Sequence, residues 1–167
     1  QRKPNMFITH WDVCLSSSSC AKVLSQRNLS VHYLIDNDSS IIQCLDSQHV
    51  AYHASGVNSV SIGVEVSCAY DLKWQSWYES KGYGSRPIWK DKVVHGRTLD
   101  PFLGFYDKQI QALAALWEAV SWATGIPLQL PDVSNTVDPK VANGTARCCA
   151  NHYHVTAKKI DSAGLNN

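Results

Sequence analysis

One long amphipathic helix, set among short apolar strands, is the feature of this chain that most restricts its possible folds. Apolar side chains recur at helical spacing over residues 107–125, and Gly125-Ile126-Pro127 supplies a stop signal. A helix with one apolar stripe must bury it against another layer of structure, so we interpret the stripe as core and not as a cofactor-binding face. The stripe consists of Ile110, Leu113, Leu116, Trp117, Val120 and Ala123.

Short β-branched segments supply the layer against which that helix can pack. Residues 6–10 and 61–68 are predicted strands, and residues 31–35 and 41–45 are predicted to pair as a hairpin across a polar turn. A short helix is predicted in between, with capping serines at 16–19. Strands and helices in this mixed order predict an α/β fold, with a central mixed β-sheet flanked by helices.

Residues 70–106 differ in character from the rest of the chain. They are rich in aromatic residues separated by glycine and proline, which predicts a long aromatic-rich loop insertion. Aromatic side chains spaced in this way can form a platform for sugar rings, and we select Trp74 and Trp77 as substrate-binding candidates. The alternative is that most of these rings pack the insertion onto the domain.

Size and charge exclude several classes of function. The chain has 167 residues, enough for one domain with a full core, and we treat 1–167 as a single domain. A net charge of +1 without a basic run argues against nucleic acid as a partner. No apolar run approaches the roughly 18 residues of a membrane span. We expect a monomer, and we interpret the start at Gln1, without an apolar leader, as a mature or trimmed segment.

The six cysteines allow three interpretations. An even number is compatible with disulfides, although a chain of this length does not need them to fold. Cys148 and Cys149, close to His152, could also bind metal. We favour buried, reduced thiols that act as small hydrophobic side chains. The remaining cysteines are Cys14, Cys20, Cys44 and Cys68.

The densest group of chemically active side chains lies in residues 151–164. His152 and His154 precede Lys159 and Asp161. Neutral imidazoles and a carboxylate suit zinc, and a nearby cation can stabilise the oxyanion that forms when water attacks a carbonyl. The alternative for this window alone is a solvated basic tail.

Four segments, in a fixed order along nearly the whole chain, resemble one known family. They are residues 8–10, residues 29–36, the stretch from His53 to Glu65, and the stretch from His152 to Gly164. This pattern resembles the zinc-dependent N-acetylmuramoyl-L-alanine amidases, a fold shared with T7-type phage lysozyme and peptidoglycan recognition proteins. The resemblance implies Zn²⁺ as the cofactor, with His10, His152 and Asp161 as its ligands and a fourth position left to water.

The same resemblance implies roles for two further residues. Lys159, two positions before Asp161, matches the lysine that stabilises the oxyanion in the family. Some members use a tyrosine as second catalytic group, but its position here is Val31, which cannot transfer protons. Other members use a glutamate in the strand that here contains Glu65, so Glu65 becomes the expected general base.

Three positions depart from the family pattern or leave a choice. The usual Asp-Pro-Gly ending is replaced by Asp161-Ser162-Ala163-Gly164, although the carboxylate is retained. If residues 152–154 were a strand, His152 and His154 would face the same side. The alignment favours His152 as the ligand, which leaves His154 to line the pocket. His53 matches a pocket-wall histidine that contacts substrate, with a packed core imidazole as the alternative.

The resemblance implies hydrolysis of the amide bond between N-acetylmuramic acid and L-alanine, with peptidoglycan or a muropeptide as substrate. A non-catalytic peptidoglycan-binding module is the first alternative, and an amidase of the same fold acting on soluble muropeptides is the second. A phage endolysin with antibacterial action, a bacterial remodelling or recycling enzyme, and a secreted effector are all compatible with the pattern. The site of action is in either case the cell wall.

Overall fold

The structure, a computed structural model, describes residues 2–165 and is built on a five-stranded sheet. Gln1, the start of the chain, lies outside the described residues, as do positions 166 and 167. The strands of this sheet are β1 (Met6–Trp11), β2 (Tyr33–Ile35), β3 (Ile41–Gln43), β4 (Ser61–Val66) and β9 (Cys148–Asn151). Their order in the sheet is β3-β2-β4-β1-β9.

The sheet is mixed, as the sequence predicts. β1 runs parallel to both β4 and β9, and β2 runs parallel to β4. Only β3 is antiparallel, because it forms the predicted hairpin with β2, with Leu34 opposite Ile42. A parallel arrangement brings the carboxyl ends of β1, β4 and β9 to one edge of the sheet.

Helices cover both faces of this sheet. The longest, α3 (Asp107–Thr124), ends where Gly125 adopts the left-handed conformation with φ of 73°, a conformation that costs glycine little. The shorter α1 (Ser17–Gln26) begins at Ser16, whose side chain accepts a hydrogen bond from Ser19 N. Two single-turn helices, α4 (Pro139–Ala142) and α5 (His152–Val155), flank β9. Every helix within residues 2–165 is too short or too polar to cross a lipid bilayer.

Successive side chains of β1 and β4 point alternately into the main core and towards the face that carries the candidate site residues. Even-numbered residues of β4 pack into the main core together with α3, which also receives Phe7 and Trp11 from β1. The opposite face of these two strands therefore presents His10 and Glu65, since successive side chains of a strand point to opposite faces. The core residues on the helical side include Ile62, Val64, Val66, Leu113, Leu116 and Val120.

The aromatic segment 70–106 is more ordered than a loop. It contains α2 (Gln75–Ser80), a two-stranded ribbon of β5 (Ile88–Trp89) with β8 (Phe102–Leu103), and a second ribbon of β6 (Val93–Val94) with β7 (Arg97–Thr98). Arg86 belongs to this segment and is almost fully buried, with only 2% of its surface exposed.

Residues 152–154 are helical and not a strand, because β9 ends at Asn151 and α5 begins at His152. The two histidines therefore point in different directions. All six cysteines are free and four are buried, in agreement with the favoured interpretation, but Cys44 is exposed on the edge of the sheet and Cys14 is only partly buried.

Candidate functional site

The site lies at the carboxyl edge of the parallel strands. His10 is the penultimate residue of β1, and its neighbour in register on β4 is Glu65. His152 directly follows β9 on the other side of β1, and Asp161 returns to it from the next loop. Three segments that are remote in sequence thus deliver their polar side chains to one point, as parallel sheets commonly do at this edge.

The two imidazoles and one carboxylate form a compact donor group. His10 Nδ1 lies 3.0 Å from Asp161 Oδ2, and His152 Nδ1 lies 3.1 Å from the same oxygen. The ligand atoms of all three residues are within 4.8 Å of one another. All three residues are buried, with residue exposures of 8% or less. Two nitrogens and one oxygen form a donor set that could hold a metal ion such as zinc, with room for a further ligand.

Burial and mutual contact set the protonation of this group. Burial lowers the pKa of His10 to about 4, assisted by the nearby His152 and opposed by Asp161. Burial alone would raise the pKa of Asp161, but its contacts with His10 and His152 hold that pKa below the ordinary value. At neutral pH His10 is therefore a neutral imidazole beside an ionised Asp161 carboxylate, and both are then in the protonation state that binds cations.

Glu65 lines the same cavity and is 9% exposed. Burial raises the pKa of its carboxyl well above the ordinary value, and the charge of Asp161 raises it further. Its Oε2 atom is buried and has no hydrogen-bond partner among the described residues. A carboxyl group with a raised pKa and an unused acceptor is suited to general-base chemistry near neutral pH.

We expect the metal-free Glu65→Gln variant to be more stable than the parent protein at about pH 8 and equally stable at about pH 4. Because the pKa of Glu65 is raised on folding, the folded state keeps a proton that the unfolded state has lost. The parent therefore loses stability as pH rises above the unfolded value of about 4.3 towards the folded pKa, and glutamine avoids that loss. Urea unfolding at both pH values measures the difference; a pH-independent difference would contradict the prediction.

Lys159 lies at the boundary between two adjoining cavities. The first has a volume of about 380 Å³ and contains the donor group and Glu65; the second has a volume of about 620 Å³. Lys159 lines both, as does His53. The positive charge of Lys159 is close enough to lower the pKa of both His10 and Glu65. An elongated cleft with a cation over the reactive centre could accommodate a substrate larger than a single amide.

The structure brings together six of the nine predicted site residues. His53 contacts the site directly, with its Nδ1 3.0 Å from His10 Nε2. His154 is fully buried, and its Nδ1 accepts a hydrogen bond from Asn151 N, so it stabilises the start of α5 and lines neither cavity. Trp74 and Trp77 are partly buried against the main core and line neither cavity.

Asp12 is a polar residue of the cavity wall that the motif analysis missed. Its Oδ1 accepts hydrogen bonds from Cys14 N at 2.8 Å and Cys68 N at 3.0 Å. Burial raises the pKa of its carboxyl to about 7. The period-2 spacing from His10 is the signal that could have indicated it, because residues two apart at a strand end face the same side.

Comparisons with known proteins assign the chain to a family. The family described as N-acetylmuramoyl-L-alanine amidase matches residues 1–161. A search of curated proteins returns no match.

Solved structures with the same fold come from bacteria and a phage. AmpDh3 of Pseudomonas aeruginosa, in complex with anhydromuramic pentapeptide, is 18% identical with a TM-score of 0.54; the match covers 91% of this chain and 51% of that one. The amidase LysC of Clostridium intestinale is 16% identical with a TM-score of 0.52, over 92% of this chain and 73% of that one.

A third structure is the Ph2119 endolysin of a Thermus scotoductus bacteriophage. It is 14% identical with a TM-score of 0.56, over 99% of this chain and 80% of that one. At these identities the likeness establishes the fold alone. This chain spans about half the length of AmpDh3.

Proposed function

This chain belongs to the N-acetylmuramoyl-L-alanine amidase family, and from that premise we propose that it is a zinc-dependent amidase acting on peptidoglycan. The bond cleaved is the amide between the lactyl group of N-acetylmuramic acid and L-alanine of the stem peptide. The observation that carries the proposal is the convergence of His10, His152 and Asp161, within 4.8 Å, beside Glu65 in one cavity.

The donor set fits zinc in both chemistry and protonation. His10 and His152 would each offer Nδ1, and Asp161 would offer Oδ2, the atom that both imidazoles already approach. A zinc ion held there would act as a Lewis acid and activate water near neutral pH. The negative oxygen of Asp161 beside the two imidazole nitrogens would be the main electrostatic attraction for the ion.

Glu65 and Lys159 would divide the proton and charge chemistry between them. Glu65 would take a proton from the attacking water as its oxygen bonds to the lactyl carbonyl carbon. Lys159 would stabilise the negative charge that develops on the carbonyl oxygen. Glu65 would then return the proton to the nitrogen of L-alanine as the carbon–nitrogen bond breaks, giving a free carboxylate and a free amine.

The larger cavity would hold the substrate beside the reactive centre. It extends from His53 and His152 past Tyr52 and Asn28, with Lys158 at its rim. The anhydromuramic pentapeptide bound to AmpDh3 is a substrate-like ligand of the appropriate class. We infer that peptidoglycan or a muropeptide occupies this cleft in the present chain.

Purified sacculi provide the direct test of this function. The protein should release new L-alanine amino termini without new reducing sugar ends, and a zinc chelator should abolish the release because the donor group is then empty. Added zinc should restore it. New reducing ends would indicate cleavage of the glycan instead. Co-sedimentation with sacculi without any product would contradict the amidase and support a binding module.

Replacing Trp74 and Trp77 together by alanine tests their predicted contact with the wall. The expected result is weaker binding to sacculi and a smaller effect on the turnover of short muropeptides. The reason is that the two tryptophan rings would stack on sugars that lie outside the reactive cleft. Sedimentation with sacculi and turnover of a soluble muropeptide measure the two effects. Equal losses on both, together with lower thermal stability, would assign the two rings to packing, as their contact with the main core also allows.

A further inference from the structure

A chain of side-chain hydrogen bonds leads from the donor group into the protein. His10 Nε2 lies 3.0 Å from His53 Nδ1, and His53 Nε2 lies 3.2 Å from Ser61 Oγ. Ser61 Oγ in turn lies 2.8 Å from the main-chain oxygen of Val57. The far end of this chain is therefore a carbonyl, which can only accept a hydrogen bond.

That carbonyl fixes the direction of every bond in the chain. Ser61 has one hydroxyl proton and donates it to Val57 O, so Ser61 Oγ must accept from His53 Nε2. A neutral His53 with its proton on Nε2 has an acceptor at Nδ1. His10 must then donate from Nε2, so that Nδ1 of a neutral His10 carries no proton and its lone pair can bind a cation shared with Asp161 Oδ2, 3.0 Å away; without that cation, Asp161 competes for a proton on Nδ1.

We propose that His53 and Ser61 are positioning residues that hold His10 in the tautomer able to bind the metal through Nδ1. The inference rests on the proposed zinc site, and it assigns His53 a role other than the substrate contact expected from its place on the cavity wall. Metal-binding histidines commonly donate their second ring nitrogen to a fixed acceptor. Here the acceptor is another imidazole, whose own orientation is fixed by a serine.

The backbone around His53 is held in place independently of the site. Asn58 Oδ1 accepts hydrogen bonds from His53 N at 3.0 Å and from Ala54 N at 2.8 Å. The two imidazoles of His10 and His53 are perpendicular, at an interplanar angle of 88° and a centroid distance of 5.2 Å. A fixed backbone and an edge-on ring leave His53 little freedom to turn away from His10.

Gly63 provides the space that this arrangement requires. A Cβ atom added there would lie 2.5 Å from His53 Nδ1, so the imidazole lies directly over the glycine. Ser61, Gly63 and Glu65 alternate along β4 and therefore share the face that His53 covers. In the sequence Ser61-Ile62-Gly63-Val64-Glu65, the serine thus orients His53, the glycine accommodates its ring, and the glutamate performs the proposed proton transfer.

Zinc affinity of chelator-stripped protein tests the inference without an activity assay. His53→Phe keeps a ring but removes the relay, and the dissociation constant for zinc should rise about 10–100-fold. His53→Gln should recover most of the affinity, because its amide can accept from His10 and donate to Ser61. His49→Ala, which removes an exposed imidazole, is the matched control and should bind zinc as the parent does.

Gly63→Ala adds a second test through a double-mutant cycle. Alone, it should weaken zinc binding, because its methyl group displaces the His53 ring. Combined with His53→Ala it should cost nothing further, since the clashing ring is gone. Equal costs of Gly63→Ala in both backgrounds would contradict the proposed coupling.

The outcomes separate this inference from the proposed function. A parent protein without His10-dependent zinc binding would overturn both. Tight zinc binding that is unchanged in His53→Phe would overturn only the positioning role. If His53→Phe lowers the thermal midpoint of the metal-free protein, Ser61→Ala decides: a loss of a few-fold in zinc affinity at unchanged midpoint supports the relay, and unchanged affinity overturns it.

Discussion

Replacing Glu65 by glutamine is expected to lower the rate of amide hydrolysis by about 10²–10⁴-fold, the usual contribution of a positioned general base. Glutamine has nearly the same shape but cannot accept the proton of the attacking water or return it to the leaving amine. The metal donor group does not include Glu65, so zinc binding should persist. Turnover of a muropeptide, measured beside zinc stoichiometry, separates loss of chemistry from loss of metal.

Glu118→Gln is the matched control for this variant, because Glu118 is exposed on α3 and distant from the cavity. It should retain the activity of the parent protein. A Glu65→Gln variant with more than about a tenth of parental activity would contradict the general-base role. Loss of zinc together with activity would instead assign Glu65 to metal binding.

Replacing Arg86 by methionine is expected to lower the free energy of unfolding more than any other substitution considered above. Its guanidinium donates to the main-chain oxygens of Gly104, at 3.0 Å, and Ser67, at 2.8 Å. It also donates to the side chains of Gln109 and Asn37. Methionine fills part of the volume but leaves these buried acceptors with fewer donors, and each unsatisfied acceptor costs about 1–3 kcal/mol.

The guanidinium also contacts two aromatic rings, which are nearly perpendicular to each other. Its central carbon lies 4.2 Å from the centroid of Tyr78 and 4.3 Å from that of Tyr106, and a desolvated cation–π contact contributes about 2 kcal/mol. We therefore expect the free energy of unfolding to fall by about 3–5 kcal/mol in urea. Arg97→Met, at an exposed arginine of the same insertion, should change it by about 0.5 kcal/mol or less. Similar values for both variants would contradict an anchoring role.

The position of Arg86 explains why the insertion 70–106 is ordered. Its four acceptors come from the ends of β2 and β4, from α3 and from the insertion itself. The sequence predicted a long loop here, whereas the structure contains α2 and two β-ribbons in this segment. Its ribbons and its buried arginine depend on contacts across 18 to 49 residues of chain, which no local pattern reports.

Local patterns predicted several elements of this fold, but not β9, the strand that precedes His152. The stripe that ends at Gly125, the β2–β3 hairpin and the capped α1 all follow from interactions within a few residues, and the structure contains each of them. The mixed sheet followed from their order along the chain. The resemblance to the amidase family is confirmed by the match over residues 1–161.

The candidate site was also partly predictable from the sequence and partly dependent on the tertiary structure. The resemblance carried by the sequence selected His10, His152 and Asp161 as candidate donors and Glu65 and Lys159 as a candidate catalytic pair, because their residue types and order form a linear pattern. The tertiary structure decided that the donors meet within 4.8 Å and that α5, not a strand, turns His152 towards them.

The relay from His10 through His53 to Ser61 was decided by tertiary structure alone. Its central contact joins residues 43 positions apart, and its geometry depends on the absence of a side chain at Gly63. The physical reason is the range of the interactions along the chain. Helix caps, turns and hydrophobic periodicity involve residues a few positions apart, so local sequence predicts them. The direction of a hydrogen bond between distant side chains exists only once the sheet has brought them together.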